Sequence, residues 1–250
     1  EVSPTLAKLT KNPDYRLFDI LYNSLPDTHK QILTTQYRMI ENIGNLISKV
    51  FYRGIIDTGC NDDEKRHGLS RYVGKSIVWF DTSANKKKSQ KRTKGGSYIN
   101  EEEKRIILEI LDDLKSTGEL KGLDIGIITG YSGQKELLRK SIKATGLDKI
   151  ASKIDINTLD AFQGRENDII IYSTVRTRDS IGFQKEKERV NVAFSRAKKL
   201  LIVCGDKNFF YNFDDQDNKF VEIIDYISEE EECEIIQCDG GKLFERESNS

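Results

Sequence analysis

An α/β fold built on a parallel, helix-covered sheet is the architecture that this 250-residue sequence predicts. Short β-rich runs alternate with longer helical patterns, which is the signature of strands joined by crossover helices. Several of those runs are apolar on successive residues, as in DIIIYS from Asp168, and such strands must be covered on both faces. No internal repeat interrupts the alternation.

The strands are expected at Ser76–Asp81, Asp124–Thr129, Ile154–Thr158, Asp168–Thr174 and Leu200–Gly205. Helical candidates between them are Tyr37–Phe51, Asn100–Leu114, Ser132–Ala144, Gln184–Ala197 and Lys219–Ile227. The third should open with Ser132 as its N-cap and stop at Gly146. Residues 57–76 and 82–97 read as polar loops beside the first strand. One domain over 36–228 accounts for these elements, with a helical lead-in over 1–35 and a frayed acidic and polar tail over 229–250.

Composition narrows the function. The formal net charge is −1, so no global positive excess marks a nucleic-acid binder. Charge is nevertheless abundant at 32% and unevenly placed: residues 86–94 (KKKSQKRTK) hold six basic side chains and no acid, whereas 229–234 is almost wholly acidic. Each run has the ordinary reading of a solvated loop or tail. No stretch approaches the ~20 apolar residues of a membrane span. The four cysteines show no C-x-x-C pairing and have only His29 and His67 to join them, which argues against a zinc site and for a reducing, intracellular setting, cytoplasmic or nuclear. The first residues lack both Met and an apolar signal core, as expected of a segment from a longer protein.

An α/β chain invites a search for a phosphate-binding loop. The nearest match is Gly68–Ser76, GLSRYVGKS. It places five residues where a Walker A loop has four, and it leads into a strand when it should open a helix. No other Gly-Lys-Ser/Thr occurs.

Three segments are harder to explain as core alone: LTTQYRM from Leu33, TLDAFQGREND from Thr158, and ERVNVAFSRAK from Glu188. Each has a bland alternative. Tyr37 and Arg38 could form a helix-surface pair, Gln163 and Gly164 a tight turn, and Arg196 a cap on the last turn of its helix. In this order and spacing, together with IGIITGYSGQKELLRK, FYRG, SYINEEE, STVRT and IGF, they resemble the late motifs of superfamily 1 helicases. The resemblance is to the branch containing the nonsense-mediated-decay RNA helicase and the replication helicase-nucleases, and it spans residues 17–212. Two departures stand out: Ile40 where the family has His, and Gly130 where it has Pro.

This resemblance implies the second RecA-like domain of a helicase motor, a P-loop NTPase-type fold without its own Walker A. The preceding RecA-like domain, with the Walker motifs, would hold the phosphates of ATP and its Mg²⁺. Arg38 and Arg196 are then the arginine fingers, Tyr37 stacks on adenine, Glu166 accepts from the ribose, and Gly164 keeps the backbone close to the nucleotide. Gln163 and Arg189 are further nucleotide-side candidates that could equally hold neighbouring loops, and Arg176 is more remote. Thr129, Tyr131, Ser132 and Thr158 would touch single-stranded DNA or RNA, with Asp160 linking that surface to the ATP cleft and the basic 86–94 loop adding an electrostatic contact. No protein metal ligand is implied, and movement would be 5′ to 3′. The competing readings are a non-catalytic nucleic-acid or protein-interaction module on the same fold, and a separate small α/β enzyme.

Overall fold

Among the described residues, six parallel strands that begin at Cys233, Ile77, Ala197, Asn167, Ile125 and Ile154 lie side by side in that order in one sheet. The computed structural model describes residues 22, 24–31, 33–61, 65–119, 123–147, 154–162 and 165–244. The chain divides into two units, 1–34 and 35–250. Of the first, a 3-10 turn at Asp27–His29 is described, and most of the expected helical lead-in lies outside the described residues.

In the second unit the short strands β1 (Thr35–Gln36) and β2 (Asp57–Thr58) pair with each other and flank α1 (Glu41–Tyr52). The sheet strand β3 (Ile77–Asp81) is followed by a hairpin, β4 (Lys91–Arg92) and β5 (Tyr98–Ile99), and by α2 (Glu101–Ser116). Then come β6 (Ile125–Thr129), α3 (Ser132–Ala144), β7 (Ile154–Thr158), a 3-10 turn (Leu159–Phe162) and β8 (Asn167–Ser173). A second 3-10 turn (Gly182–Lys185) precedes α4 (Lys187–Phe194), β9 (Ala197–Gly205), α5 (Lys207–Tyr211), α6 (Phe220–Glu229) and β10 (Cys233–Gln237).

The two-residue period of a strand divides the core in two. Ile77 and Trp79, Ile170 and Tyr172, and Leu201 and Val203 face α1, α4 and α6. Their neighbours Val78 and Phe80, Ile169 and Ile171, and Leu200 and Ile202 face α2 and α3. Register keeps these rows level: Trp79 lies beside Val203, Val203 beside Tyr172, and Tyr172 beside Ile128. Trp79 is fully buried and its indole N–H donates to the Gly205 carbonyl at 3.1 Å.

Three sequence expectations need correction. Ser132 is the first helical residue of α3 and Tyr131 occupies the N-cap without a side-chain bond. The helix expected over 184–197 is a 3-10 turn followed by α4, so Arg196 lies beyond the helix, in the connection to β9. The tail expected to fray instead supplies β10, an edge strand paired with β3. Lys75, from the false phosphate loop, fastens it by donating to the carbonyls of Glu231 (2.7 Å) and Cys233 (3.1 Å).

Deleting residues 231–250 should therefore expose the edge of β3 and lower the thermal midpoint by on the order of 10 °C. A truncated chain that melts with the intact one contradicts a structural role for β10.

Candidate functional site

Parallel strands place all their starts on one edge of the sheet and all their ends on the other. On the starting edge, the side-chain amide of Gln36 builds a turn. Its oxygen accepts from the Arg38 and Met39 N–H groups, both at 2.8 Å, and its nitrogen donates to the Met39 carbonyl (2.9 Å) and to Thr58 Oγ1 (2.7 Å). Lys65 secures the turn from outside, donating to the carbonyls of Tyr37 and Arg38. The Ile40 N–H then donates to the Lys198 carbonyl at 2.8 Å and anchors the turn to β9. Because residues 36–39 are spent on this turn, α1 starts at Glu41 and not at Tyr37.

The turn presents Tyr37 to solvent at 70% exposure. Gly59 leaves room for that ring, since a Cβ there would come within 2.4 Å of Tyr37 Cε1. Arg38 turns inward: its Nε donates to Glu166 Oε2 at 2.7 Å and its Nη1 to the Ser195 carbonyl at 3.3 Å. Lys198 approaches the other oxygen of Glu166 at 3.4 Å. Arg196 joins the group from the end of α4, donating from Nε to the Val192 carbonyl (3.1 Å) and from Nη1 to the Arg165 carbonyl (3.2 Å). Its Nε thus caps the helix, as the bland reading allows, while the guanidinium still lies close enough to Arg38 for charge repulsion.

Electrostatics reflect this crowding. The hydrogen bond from Arg38 holds the Glu166 carboxyl below its usual range, opposed by partial burial and helped by Lys198. Burial, followed by the charge of Arg38, lowers the Arg196 guanidinium. Two cations, Arg38 and Lys198, therefore share one carboxylate, with the Arg196 guanidinium near Arg38. The Arg38–Glu166 pair is 38% and 45% exposed, and exposed pairs contribute only about 0–1 kcal/mol. A cavity of about 810 Å³ lined by Lys87, Lys91, Arg105 and Leu147 includes none of these residues. Gln163 and Gly164 lie outside the described residues.

The ending edge is organised differently. Thr129 is fully buried and Tyr131 is 4% exposed, so neither side chain reaches the surface as a strand contact requires. Tyr131 instead packs between Tyr98 and Phe183, each with its ring centroid 5.6 Å away. Ser132 is exposed and meets Ser97 Oγ at 3.3 Å, Thr158 is half-buried, and Asp160 is exposed. Arg189 belongs to this edge: it donates to Glu186 at 2.8 Å, approaches Asp160 at 3.9 Å, and lies 5.0 Å from the Phe183 ring. The loop-holding alternative describes those contacts. Arg176 is buried and closes its own loop by donating to the carbonyls of Ser180 and Arg178.

A buried polar network supports that loop. Glu103 accepts from the Val175 N–H at 2.8 and 2.9 Å, from Ser173 at 2.6 Å and from Thr174 at 3.1 Å. Asn100 donates to the Val175 carbonyl at 3.2 Å, while Gln134 donates to Ser173 at 3.0 Å and to the Asn100 carbonyl at 3.1 Å. With both its backbone groups held, Val175 adopts φ +69°, an unfavourable conformation for a β-branched residue. The basic 86–94 segment is also ordered onto this loop: Gln90 exchanges hydrogen bonds with Thr177, and Lys88 pairs with buried Asp206 at 2.8 Å.

Residues 14–208 match the family model described as an AAA domain. The chain is 31% identical over 95% of its length to an uncharacterized ATP-dependent helicase of Methanocaldococcus jannaschii. It is 36% identical over 70% of its length to helicase SEN1 of Saccharomyces cerevisiae, and 32% identical over 70% to the regulator of nonsense transcripts 1 homolog of Neurospora crassa. The chain belongs to the AAA-domain family, in its superfamily 1 helicase branch. It spans 35%, 8% and 16% of those three relatives.

The fold of this helicase-family domain is the mixed α/β, RecA-like one expected. Among the described residues, no group of His, Cys, Asp and Glu is arranged to hold a metal ion, and no helix is long and apolar enough to cross a membrane. Sequence reasoning singled out Arg38, Glu166 and Arg196, which the structure brings together. It missed Gln36, Lys65 and Lys198, although Gln36 stands inside the QYRM motif and Lys198 just after SRA. It also missed Glu103, whose only signal was an acid at a position of SYINEEE that the helical period turns inward.

Burial pushes the Glu103 carboxyl up from 4.5 to about 8, against the hydrogen bonds from Ser173, Val175 and Thr174. Between those values the folded protein retains a proton that the unfolded chain releases, so this group's contribution to stability falls as pH rises. The thermal midpoint of wild type minus that of Glu103→Gln, which mimics the neutral carboxyl and cannot ionise, should fall steadily from pH 5 to pH 8. A signed difference that stays constant, or rises with pH, contradicts a protonated Glu103.

Proposed function

We propose that this chain is the second RecA-like motor domain of an ATP-dependent superfamily 1 helicase and acts with a preceding RecA-like domain. The observation that carries this reading is the gathering of three cations around one carboxylate: Arg38 and Lys198 pair with Glu166, and Arg196 stands near Arg38. Such an excess of positive charge on a partly exposed surface suits a polyphosphate. Arg38 and Arg196 would each lend a planar, permanently charged guanidinium to the γ-phosphate oxygens, where charge must be stabilised during transfer.

In this scheme Arg38 exchanges Glu166 for phosphate. Glu166, released, accepts from a ribose hydroxyl, and exposed Tyr37 stacks on adenine. Gln163 and Gly164 are placed on the same side by resemblance alone. Mg²⁺ would be held with the phosphates by the preceding domain. At the opposite edge, Ser132, Thr158 and Asp160 would meet single-stranded DNA or RNA, with the Thr129 and Tyr131 backbone shaping the surface from beneath. The exposed basic side chains of 86–94 border it and would add salt-sensitive attraction. The four cysteines, all unpaired in the structure, suit a reducing intracellular compartment.

The α4 helix runs from one edge towards the other. Arg189, near its start, lies 3.9 Å from Asp160 and 5.0 Å from the centre of the Phe183 ring, and Arg196 follows its end. The five helical residues between them, Val190–Phe194, rise roughly 8 Å. Closing the nucleotide edge on ATP and reopening it after hydrolysis would therefore shift the strand-facing edge as a unit.

In the full-length protein, Arg38→Ala and Arg196→Ala should each reduce nucleic-acid-stimulated ATPase by roughly 10³-fold, with Arg→Lys rescuing poorly. ATP binding should change much less. Tyr37→Ala should mainly raise KM for ATP. Thermal midpoint and kcat measured on the same samples decide the matter. A destabilised Arg196→Ala with near-normal kcat would return Arg196 to a helix cap and nothing more.

A further inference from the structure

Phe183 is a large aromatic left 47% exposed at the ending edge of the sheet, although an aromatic cluster lies directly beneath it. Its ring rests on Tyr131 with centroids 5.6 Å apart and planes tilted by 51°. Tyr131 in turn meets Tyr98 edge-on, and the guanidinium of Arg176 lies 4.2 Å from the Tyr98 ring. The guanidinium of Arg189 lies over the Phe183 ring, 5.0 Å from its centroid. Rings and guanidinium groups thus run from the interior to the surface and end in a half-exposed aromatic ring.

Three features fix that ring in place. Gly182 adopts φ +62°, and a Cβ there would come within 2.3 Å of the Tyr131 hydroxyl, so the turn carrying Phe183 closes tightly on Tyr131. The Tyr131 hydroxyl is itself buried against this turn. The Gln184 side chain, next in sequence, donates to the carbonyls of Thr174 (2.9 Å) and Ile181 (3.2 Å) and ties the turn to the strained Val175 loop. The ring is also uncovered for a local reason. A Cβ on Gly130 would stand 3.8 Å from Phe183 Cδ2, in ordinary contact, so any larger residue at 130 would pack against the ring.

We propose that Phe183 is a stacking platform for a nucleobase of the single strand crossing this edge, a proposal that rests on the strand-binding reading of Ser132 and Thr158. Every base has a π-face, so the contact needs no sequence preference and complements phosphate contacts that read none either. An apolar protein partner, the other occupant such a ring could take, is poorly matched to an edge that carries the exposed Lys91, Arg92 and Lys94 of the hairpin held against the start of α3, and Arg178 of the loop bound by Gln90.

The test uses the full-length protein and fluorescence anisotropy with two labelled strands of equal length, an oligothymidine and an abasic phosphodiester chain. Phe183→Ala and Phe183→Leu should each weaken oligothymidine binding roughly tenfold and leave binding to the abasic chain within about twofold of wild type. The leucine variant keeps apolar packing on Tyr131, so its thermal midpoint should be unchanged. Phe183→Trp should retain affinity, and its indole fluorescence should be quenched on binding. Unchanged oligothymidine binding by the alanine and leucine variants, or equal losses on both strands, overturns the proposal while leaving strand binding itself standing. A wild-type protein that binds neither strand overturns the strand-binding reading and this proposal with it.

Discussion

All six sheet strands run in one direction, and that constraint decides where everything else can act. Residues preceding a strand gather on one edge, and residues following a strand gather on the other, separated by the seven residues of β8, roughly 20 Å. Arg38, Glu166, Arg196 and Lys198 come from three distant parts of the sequence, yet all stand where β8 and β9 begin. Ser132, Thr158 and the loop carrying Phe183 stand where β6, β7 and β8 end. Two separate groups of side chains on one domain follow from a single topological choice.

The interactions at the two edges differ in kind. The core is dry and level across the strands, and each large side chain fully buried there contributes about 1.5–3 kcal/mol. At the edge where β8 and β9 begin, charges are held in exposed pairs worth a fraction of that. At the other edge, a closed buried network around Glu103 holds Val175 in an unfavourable backbone conformation. A weak, exchangeable grip would suit the proposed nucleotide surface, and a rigid scaffold would suit the proposed stacking ring.

Much of this was legible in the sequence. Continuous apolar runs such as Ile169–Tyr172 revealed buried parallel strands, and the family resemblance carried by QYRM, QGRE and SRA singled out Arg38, Glu166 and Arg196. What escaped did so for physical reasons. The strand Cys233–Gln237 is short, half-buried and preceded by four glutamates, so hydropathy alone made it part of a tail. The basic 86–94 run looked like solvated loop because its order comes from Gln90 and Lys88 pairing with residues far away in sequence. Thr129 and Tyr131 stand at the same edge as Ser132 and Thr158, but whether a strand-end side chain points out or in depends on packing that no local pattern encodes.

The central claim is that Arg38 and Arg196 are held in reserve for a phosphate, with Glu166 occupying Arg38 meanwhile. An experimental structure of the full-length protein bound to Mg²⁺, ADP and a planar mimic of the transferring phosphoryl group tests it most directly. The account predicts that Arg38 has left Glu166 and that both guanidinium groups donate to the mimic's oxygens. A structure with nucleotide bound, Arg38 still paired with Glu166 and Arg196 still donating to the Val192 and Arg165 carbonyls would contradict it.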